Sequence, residues 1–212
     1  MSAGDEGWTN GGELLPILGQ PPRERSDAAR NRDAVLCAAQ QLIDRCGVAS
    51  VTMDAVAEKA GVGKGTVFRR FGSRAGLMAR LLDESEAAWQ ALVISGPPPL
   101  GPGAPPRERL IAFGRSRLVT NLERSELLLA ASGGPESPNG GTQRSYAAYS
   151  FTATHVRYLL GEIGVRGDIA LLATALLAPL EVPILRQQID IENMDVERVL
   201  AGWEDLVDRV VG

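Results

Sequence analysis

The feature that most constrains this chain is a pair of short helical segments separated by a glycine-containing turn, residues 52–71. Thr52 can cap the segment MDAVAEKA, whose apolar residues recur at helical spacing. Gly61 breaks that helix, GVGK turns the chain, and TVFRRF predicts another short helix before Gly72. Because a further helical segment from Asp27 precedes them, the order predicts a helix-turn-helix with a supporting helix.

The rest of the chain also carries helical patterns, and its sequence shows no convincing strand pattern or repeat. The predicted helices are 73–93, 107–132 in one or two pieces, 146–161, 168–188 with a kink or split near Ala175 caused by Pro179 and Pro183, and a last helix from near Asp195. The expected fold is all-α, with a three-helix domain at 27–72 joined to a larger helical domain at 73–212. Residues 1–26, rich in Gly, Pro and acids, are predicted to be a flexible tail.

Two interpretations compete for the glycines of residues 61–65: a loop around a nucleotide phosphate, or a helix tip against a duplex. A phosphate-binding loop needs Gly at 58 and Ser or Thr at 65, where Glu58 and Gly65 stand. A dinucleotide fingerprint needs Gly at 66, where Thr66 stands. The spacing therefore favours the duplex, with a helix-turn-helix packed inside a helical bundle as the alternative.

The distribution of charge supports a polyanion as the partner of the first domain. Residues 23–80 hold eleven Arg or Lys and six acids, although the whole chain has a formal net charge of -4. A basic module on an acidic body is typical of a protein whose first part alone binds nucleic acid.

A set of residues spread over 47–77 resembles the N-terminal signature of TetR-type transcriptional regulators: Gly47, Thr52, Val56, Ala57, Ala60, Gly61, Val62, Gly65, Thr66, Phe68, Phe71 and Leu77. GTVFRRFGSRAGL, followed by GPPPLGPGAPP, is similar to a subset common in actinobacteria. The resemblance implies a homodimer that binds a near-palindromic DNA operator. It also implies a helical body that binds a small-molecule effector, which loosens DNA binding, and it favours repression over activation.

The resemblance also implies which residues contact DNA. Thr52 bonds a phosphate, Lys64, Gly65 and Thr66 open the recognition helix, and Arg74 reaches the backbone. Phe68, Arg69 and Arg70 lie in the groove, where an arginine can bind guanine in bidentate fashion. Gly63 replaces a common Ser and so lacks its hydroxyl.

Two groups of residues in the body are candidates for the dimer interface and the ligand pocket. The last two long helices are expected to pair across a two-fold axis through Leu172, Leu176, Val199, Leu200, Trp203, Leu206 and Val207, with burial inside one protomer as the alternative. The pocket candidates are aromatic residues and the single histidine, with ordinary core packing as the alternative: Trp89, Phe113, Tyr146, Tyr149, Phe151, His155 and Tyr158.

Other classes of function find little support in the sequence. No nucleophile elbow or zinc-protease motif is present, and one histidine with two distant cysteines predicts neither a metal site nor a cofactor. No apolar run is long enough for a membrane span, and no signal peptide is recognised, so a cytoplasmic protein is expected. Two alternatives to a ligand-responsive repressor stay open: an enzyme whose active site is assembled in the body, and a ligand-independent DNA-binding activator.

Overall fold

The protein was analysed as a computed structural model, which describes residues 23–131 and 141–212. Side chains are described for 29–131 and 149–212. Over these ranges helices are the only regular secondary structure, which confirms the all-α prediction. The predicted tail lies outside the described residues except for its last few, which begin the first helix at Arg23.

Ten α-helices follow one another along the described chain. They are α1 (Arg23–Cys46), α2 (Met53–Ala60), α3 (Lys64–Phe71), α4 (Arg74–Ser95), α5 (Pro106–Glu123), α6 (Ser125–Ala131), α7 (Gly141–Ile163), α8 (Ile169–Leu177), α9 (Val182–Arg186) and α10 (Val196–Val211). Short 3-10 turns at Val48–Ser50 and Ala178–Leu180 and a π turn at Gln187–Ile191 complete the set.

Local signals explain where the N-terminal helices begin and end. The Thr52 hydroxyl accepts a hydrogen bond from the N–H of Ala55 at 3.2 Å and caps α2, as predicted. Gly61 ends that helix in the left-handed conformation, with φ of 65°, which glycine adopts without a steric penalty. Ser73 caps α4 by accepting from the N–H of Gly76 at 3.1 Å.

Proline divides the helix that was expected over residues 168–188. Helix α8 ends at Leu177, a 3-10 turn contains Pro179, and α9 places Pro183 in its first turn. Proline has no N–H for a helical hydrogen bond, so the predicted split is confirmed, although α8 continues two residues past Ala175.

Two hydrophobic cores hold the described chain together. The N-terminal core contains buried side chains of α1, α2, α3 and the first half of α4, and Leu127 of α6 belongs to it as well. The second core is formed by the end of α4 with α5, α7, α8 and α10. The core of the N-terminal domain is therefore completed by a residue of the body.

Helix α10 packs against α5 and α8 through Trp203. A methyl group added to Gly114 on α5 would meet the Trp203 ring at 2.1 Å, so only glycine allows this approach. The indole N–H of Trp203 donates to the carbonyl of Leu176 on α8 at 2.8 Å. The side chain is 3% exposed, and its only polar atom is satisfied inside the protomer.

This packing corrects most of the predicted dimer interface. Five of the seven residues are buried in the core of one protomer: Leu176, Val199, Leu200, Trp203 and Val207. A side chain already shielded from water gains little by contact with a partner. The alternative interpretation, burial within the monomer, applies to them, while Leu172 and Leu206 remain partly exposed.

Candidate nucleic-acid interface and ligand site

The tip of α3 presents bare backbone to solvent. Gly63 occupies the N-cap position with φ of -66° and ψ of 141°, and no side chain caps the helix. The first N–H groups, those of Lys64 and Gly65, have no partner within the helix because of helix geometry. Nothing lies within 4 Å of a methyl group built on Gly65. Unfilled N–H groups at the positive end of a helix dipole favour an anion such as a phosphate.

One face of α3 is anchored and the other is free. Val67 and Phe71 are buried in the N-terminal core. Phe68 is 48% exposed, and Arg69 and Arg70 are exposed beside it. Because a helix buried on one face must present the other, the predicted groove-facing residues point to solvent together, and packing of this helix inside a bundle is excluded.

An ion pair that the sequence did not suggest joins α2 to α3. The Lys64 ammonium lies 2.6 Å from a carboxylate oxygen of Asp54, and both side chains are more than half exposed. An exposed pair of this kind contributes at most about 1 kcal/mol. Asp54 therefore orients the lysine at the helix tip and is readily replaced by a phosphate.

Thr52 lies on the same exposed side, at the start of α2. Its hydroxyl oxygen already accepts the N–H of Ala55, which leaves the O–H free to donate. A donor of this type suits a phosphate oxygen, as the resemblance implied. Thr66 is half-buried and contributes less surface than Lys64 or Phe68.

Arg74, which the resemblance implied as a contact to DNA backbone, has hydrogen-bond partners within the protein. Its Nε donates to the carbonyl of Val51 at 2.7 Å, and Nη2 donates to the carbonyl of Val48 at 2.5 Å. The guanidinium thus ties the 3-10 turn ahead of α2 to the start of α4. We therefore propose, as a correction of the prediction, that Arg74 supports the helix-turn-helix and does not contact DNA backbone.

Most of the predicted pocket residues form one aromatic cluster between α4, α5 and α7. The Trp89 and Phe113 rings lie 5.2 Å apart, Phe113 and His155 lie 5.1 Å apart, and Phe151 stacks on His155 at 6.2 Å with 9° between planes. Tyr158 is 6.4 Å from His155 and is half exposed.

Tyr149 and Tyr146 complete the set of predicted pocket residues. The Tyr149 hydroxyl lies 3.2 Å from that of Thr174 on α8. Tyr146 lies in the part of α7 whose side chains are outside the described residues. Trp89 and Phe113 are buried, so for these two the core interpretation also holds.

His155 is held in an unusual state for a histidine. Burial, and secondarily the charge of Arg109, lower the pKa of His155 from 6.5 to about 4. Its Nε2 atom is buried without a hydrogen-bond partner, and so is the Nε of Arg109. Two polar atoms thus lie in the cluster without partners.

Polar contacts lock α4 to α5 on the other side of Trp89. The Trp89 indole donates to the Ser116 hydroxyl at 2.9 Å, and the Arg117 guanidinium lies 4.7 Å from the centre of the Trp89 ring. Arg117 also pairs with Glu86 at 2.7 Å. Arg124, at the end of α5, donates to the carbonyl of Ser85 at 2.9 Å. No local pattern in the sequence indicates this network, because its partners are 27 to 39 residues apart.

A separate cavity of about 310 Å³ opens between α5 and α10. None of the predicted pocket residues lines it. Its walls are instead Leu118, Pro179, Leu180, Gln188, Met194, Arg198, Val199, Gly202, Trp203 and Leu206. Three residues expected at the dimer interface therefore border a cavity of the protomer.

Within residues 23–131 and 141–212, no group of three or more His, Cys, Asp or Glu side chains could hold a metal ion. Over the same ranges no single helix is long and apolar enough to cross a membrane. The bent pair of helical segments 169–180 and 182–191 has the length and the apolar composition of a span only when the two are taken together.

The exposed, cation-bearing α3, supported by α1 and α2, is the arrangement of a helix-turn-helix DNA-binding domain. Residues 35–81 match the family model described as bacterial regulatory proteins, tetR family. Residues 35–81 therefore carry a DNA-binding domain of the tetR family, and the resemblance found in the sequence is confirmed. Members of this family are DNA-binding transcription regulators and not enzymes, as expected for this chain.

Solved structures of similar fold extend the likeness to the body. A TetR transcription regulator from Haloarcula marismortui superposes with a TM-score of 0.67 at 15% identity, covering 86% of this chain and 98% of that one. A putative TetR-family regulator from Rhodococcus sp. gives 0.62 at 19%, covering 87% and 100%.

A third similar structure was solved with a ligand. The FadR repressor of Thermus thermophilus, in complex with lauroyl-CoA, gives a TM-score of 0.55 at 19% identity, covering 83% of this chain and 92% of that one. At these identities the three structures show the fold. A search among curated proteins finds none that matches this chain.

Proposed function

We propose that this protein is a cytoplasmic transcriptional repressor that binds a near-palindromic DNA operator as a homodimer and is released by a small-molecule effector. The observation that carries the proposal is the exposure of Lys64, Phe68, Arg69 and Arg70 on a helix whose opposite face is anchored by Val67. The FadR structure with lauroyl-CoA supports an effector site in a body of this fold.

Sequence recognition is assigned to Arg69 and Arg70. Both are exposed, and neither is held by a hydrogen bond or ion pair within the described residues. A free guanidinium can donate two parallel hydrogen bonds to O6 and N7 of guanine, a contact that discriminates by about 1–3 kcal/mol. Each half-site of the operator should therefore contain at least one G·C pair read by one of these arginines.

The dimer surface is assigned to the outer face of α8 in place of the buried residues. Leu171, Thr174, Ala175 and Ala178 recur at helical spacing, and all four are exposed. Leu171 is 68% exposed, a large share for an apolar side chain. Small residues beside such a leucine allow the same helix of a second protomer to approach closely, which suits a two-fold axis.

The coupling between effector and DNA is assigned to α4 and α6. Helix α4 carries Trp89 in the aromatic cluster and Leu77 in the N-terminal core, and Leu127 of α6 is also part of that core. A ligand that moves α5 or α7 moves both helices and so changes the distance between recognition helices. Effector and DNA then oppose one another through a coupling free energy of about 1–3 kcal/mol.

The experiment that tests this function is selection of bound duplexes from random DNA, followed by affinity measurements on the selected sequence and its single-base variants. We expect a near-palindrome. Arg69→Ala or Arg70→Ala should relax the preference at one G·C position, whereas Arg209→Ala on the outer surface of α10 should change nothing. Absence of any duplex preference at low salt would contradict DNA binding itself.

The oligomeric state is tested separately by sedimentation equilibrium. We expect a dimer at micromolar concentration, and Leu171→Arg should shift it to monomer. Ile94→Arg is the matched control, since Ile94 is a comparably exposed apolar residue on α4. A wild-type monomer, or a dimer unaffected by Leu171→Arg, would contradict the assigned surface.

A further inference from the structure

The aromatic cluster contains two polar atoms that nothing satisfies. The Nε of Arg109 and the Nε2 of His155 are both buried, and neither has a hydrogen-bond partner. Leaving a buried polar atom unpaired costs about 1–3 kcal/mol, and more for a charged group. Such atoms are rare in folded proteins, and two together indicate a group that binds between them.

The two side chains share one part of the body. Arg109 and Phe113 stand four residues apart on α5, so they lie one turn apart on the same helix face. The Phe113 ring is 5.1 Å from the His155 imidazole on α7. The charge of Arg109 acts on His155 directly, since it helps to lower the pKa of the imidazole.

The charge around Arg109 and His155 favours the binding of an anion. Arg109 always carries a positive charge and offers only donors, and the imidazole offers a second donor through its N–H. Of the charged groups that α4, α5 and α7 carry, Arg117 and Glu86 already pair with each other at 2.7 Å beside Trp89. No hydrogen bond or ion pair of the described residues brings a carboxylate to Arg109 or His155.

The aromatic rings around the two nitrogens favour a ligand whose anionic group is attached to an apolar or aromatic framework. Phe151 stacks on the imidazole with 9° between planes, the Phe113 ring lies 5.1 Å from it, and the Trp89 ring contacts both phenylalanines. The cluster reaches the surface at Tyr158, which is 52% exposed, while Phe151 and His155 are partly buried. A flat ligand can therefore enter along α7 and displace the side chains that now cover the two nitrogens.

We propose that Arg109 and His155 form a binding site for the carboxylate of a small aromatic or apolar organic acid. The carboxylate accepts one hydrogen bond from the Arg109 Nε–H and one from the His155 N–H, and its apolar body lies among the rings. The existence of this binding site does not depend on the proposed function. The statement that the acid is the effector that releases DNA does rest on it.

The test uses 1-naphthoate and its neutral isostere 1-naphthamide with the full chain. His155 is the only histidine, so its ring proton signals in an NMR spectrum are free of overlap. We expect naphthoate to bind at least about tenfold more tightly than naphthamide in calorimetry. We also expect it to raise the pKa of His155 by about one unit or more, as an adjacent carboxylate does.

Arg109→Gln should remove the preference for the acid, while Arg157→Gln, an exposed residue of α7, should keep it. Equal affinity for acid and amide, an unmoved His155 signal with either compound, or a preference that survives Arg109→Gln would overturn the site.

DNA release is measured apart from binding on the selected operator. If naphthoate binds as expected but leaves the DNA complex intact, the site stands and its role as effector site fails. If the chain binds no DNA, the NMR and calorimetric results still decide whether the site exists.

Discussion

The role assigned to Arg74 can be separated from DNA binding by one substitution. Arg74→Met keeps the aliphatic stem and removes both donors, which lie 2.7 Å and 2.5 Å from the carbonyls of Val51 and Val48. Hydrogen bonds from a charged donor contribute about 1.5–3 kcal/mol each. Because the guanidinium is only partly buried and water can replace part of the loss, we expect a total of about 3 kcal/mol.

Urea unfolding followed by circular dichroism measures this loss. Arg70→Met is the matched control, since Arg70 lies exposed on α3 and makes no such bond. We expect the control to change the free energy of unfolding by less than about 0.5 kcal/mol. The two arginines differ by four positions in sequence, so their opposite behaviour would reflect contacts and not location.

The salt dependence of DNA binding supplies the second half of the test. Each lysine or arginine that binds a phosphate contributes about 0.9 to the log–log salt slope on duplex DNA. Lys64→Met should reduce the slope by about that amount. Arg74→Met, measured where it is folded, should leave the slope unchanged. A variant of normal stability with a reduced slope would show that Arg74 binds phosphate and that our correction is mistaken.

Two more predictions concern the body. Gly114→Ala should lower the free energy of unfolding by about 2 kcal/mol or more, because the added methyl group meets the Trp203 ring. Gly161→Ala is the control and should not destabilise the protein, since nothing lies near the added methyl group. Thermal unfolding of the two variants measures the difference. Because the pKa of His155 is about 4 when folded and near 6.5 when unfolded, protons favour the unfolded state, and stability is lost as pH falls through this window. Between pH 7 and 5, allowing for partial exposure, the wild type should lose about 1 kcal/mol relative to His155→Phe; equal losses would count against the buried neutral imidazole.

The sequence predicts the helix-turn-helix well because its signals are local. Thr52 caps α2 by binding the N–H of the residue three positions further on, and Gly61 ends the helix through its own left-handed conformation. The exposed face of α3 follows from the spacing of Val67 and Phe71, which are buried on the other side. None of these features depends on how distant segments meet.

The parts that sequence could not predict depend on long-range packing. An apolar stripe on α10 looks the same whether Trp203 is buried by its own chain or by a partner, and only the glycine at 114 hints at the first outcome. Arg74 is a cation near a DNA-binding helix, and its carbonyl partners lie 23 and 26 residues earlier. The closeness of Arg109 to His155, which lets the charge of the arginine lower the pKa of the imidazole, likewise depends on two helices that are separated in sequence.

The insertion of Leu127 into the N-terminal core has a practical consequence for anyone who dissects this molecule. A fragment ending at residue 72 would lack Leu77, Met78 and Leu81 of α4 as well as Leu127, and would leave apolar surface open to water. A chimera that joins this helix-turn-helix domain to another ligand-binding domain should therefore include the chain as far as Ala131. The helix-turn-helix domain and α6, which contributes Leu127 to its core, therefore have to be transferred as one unit.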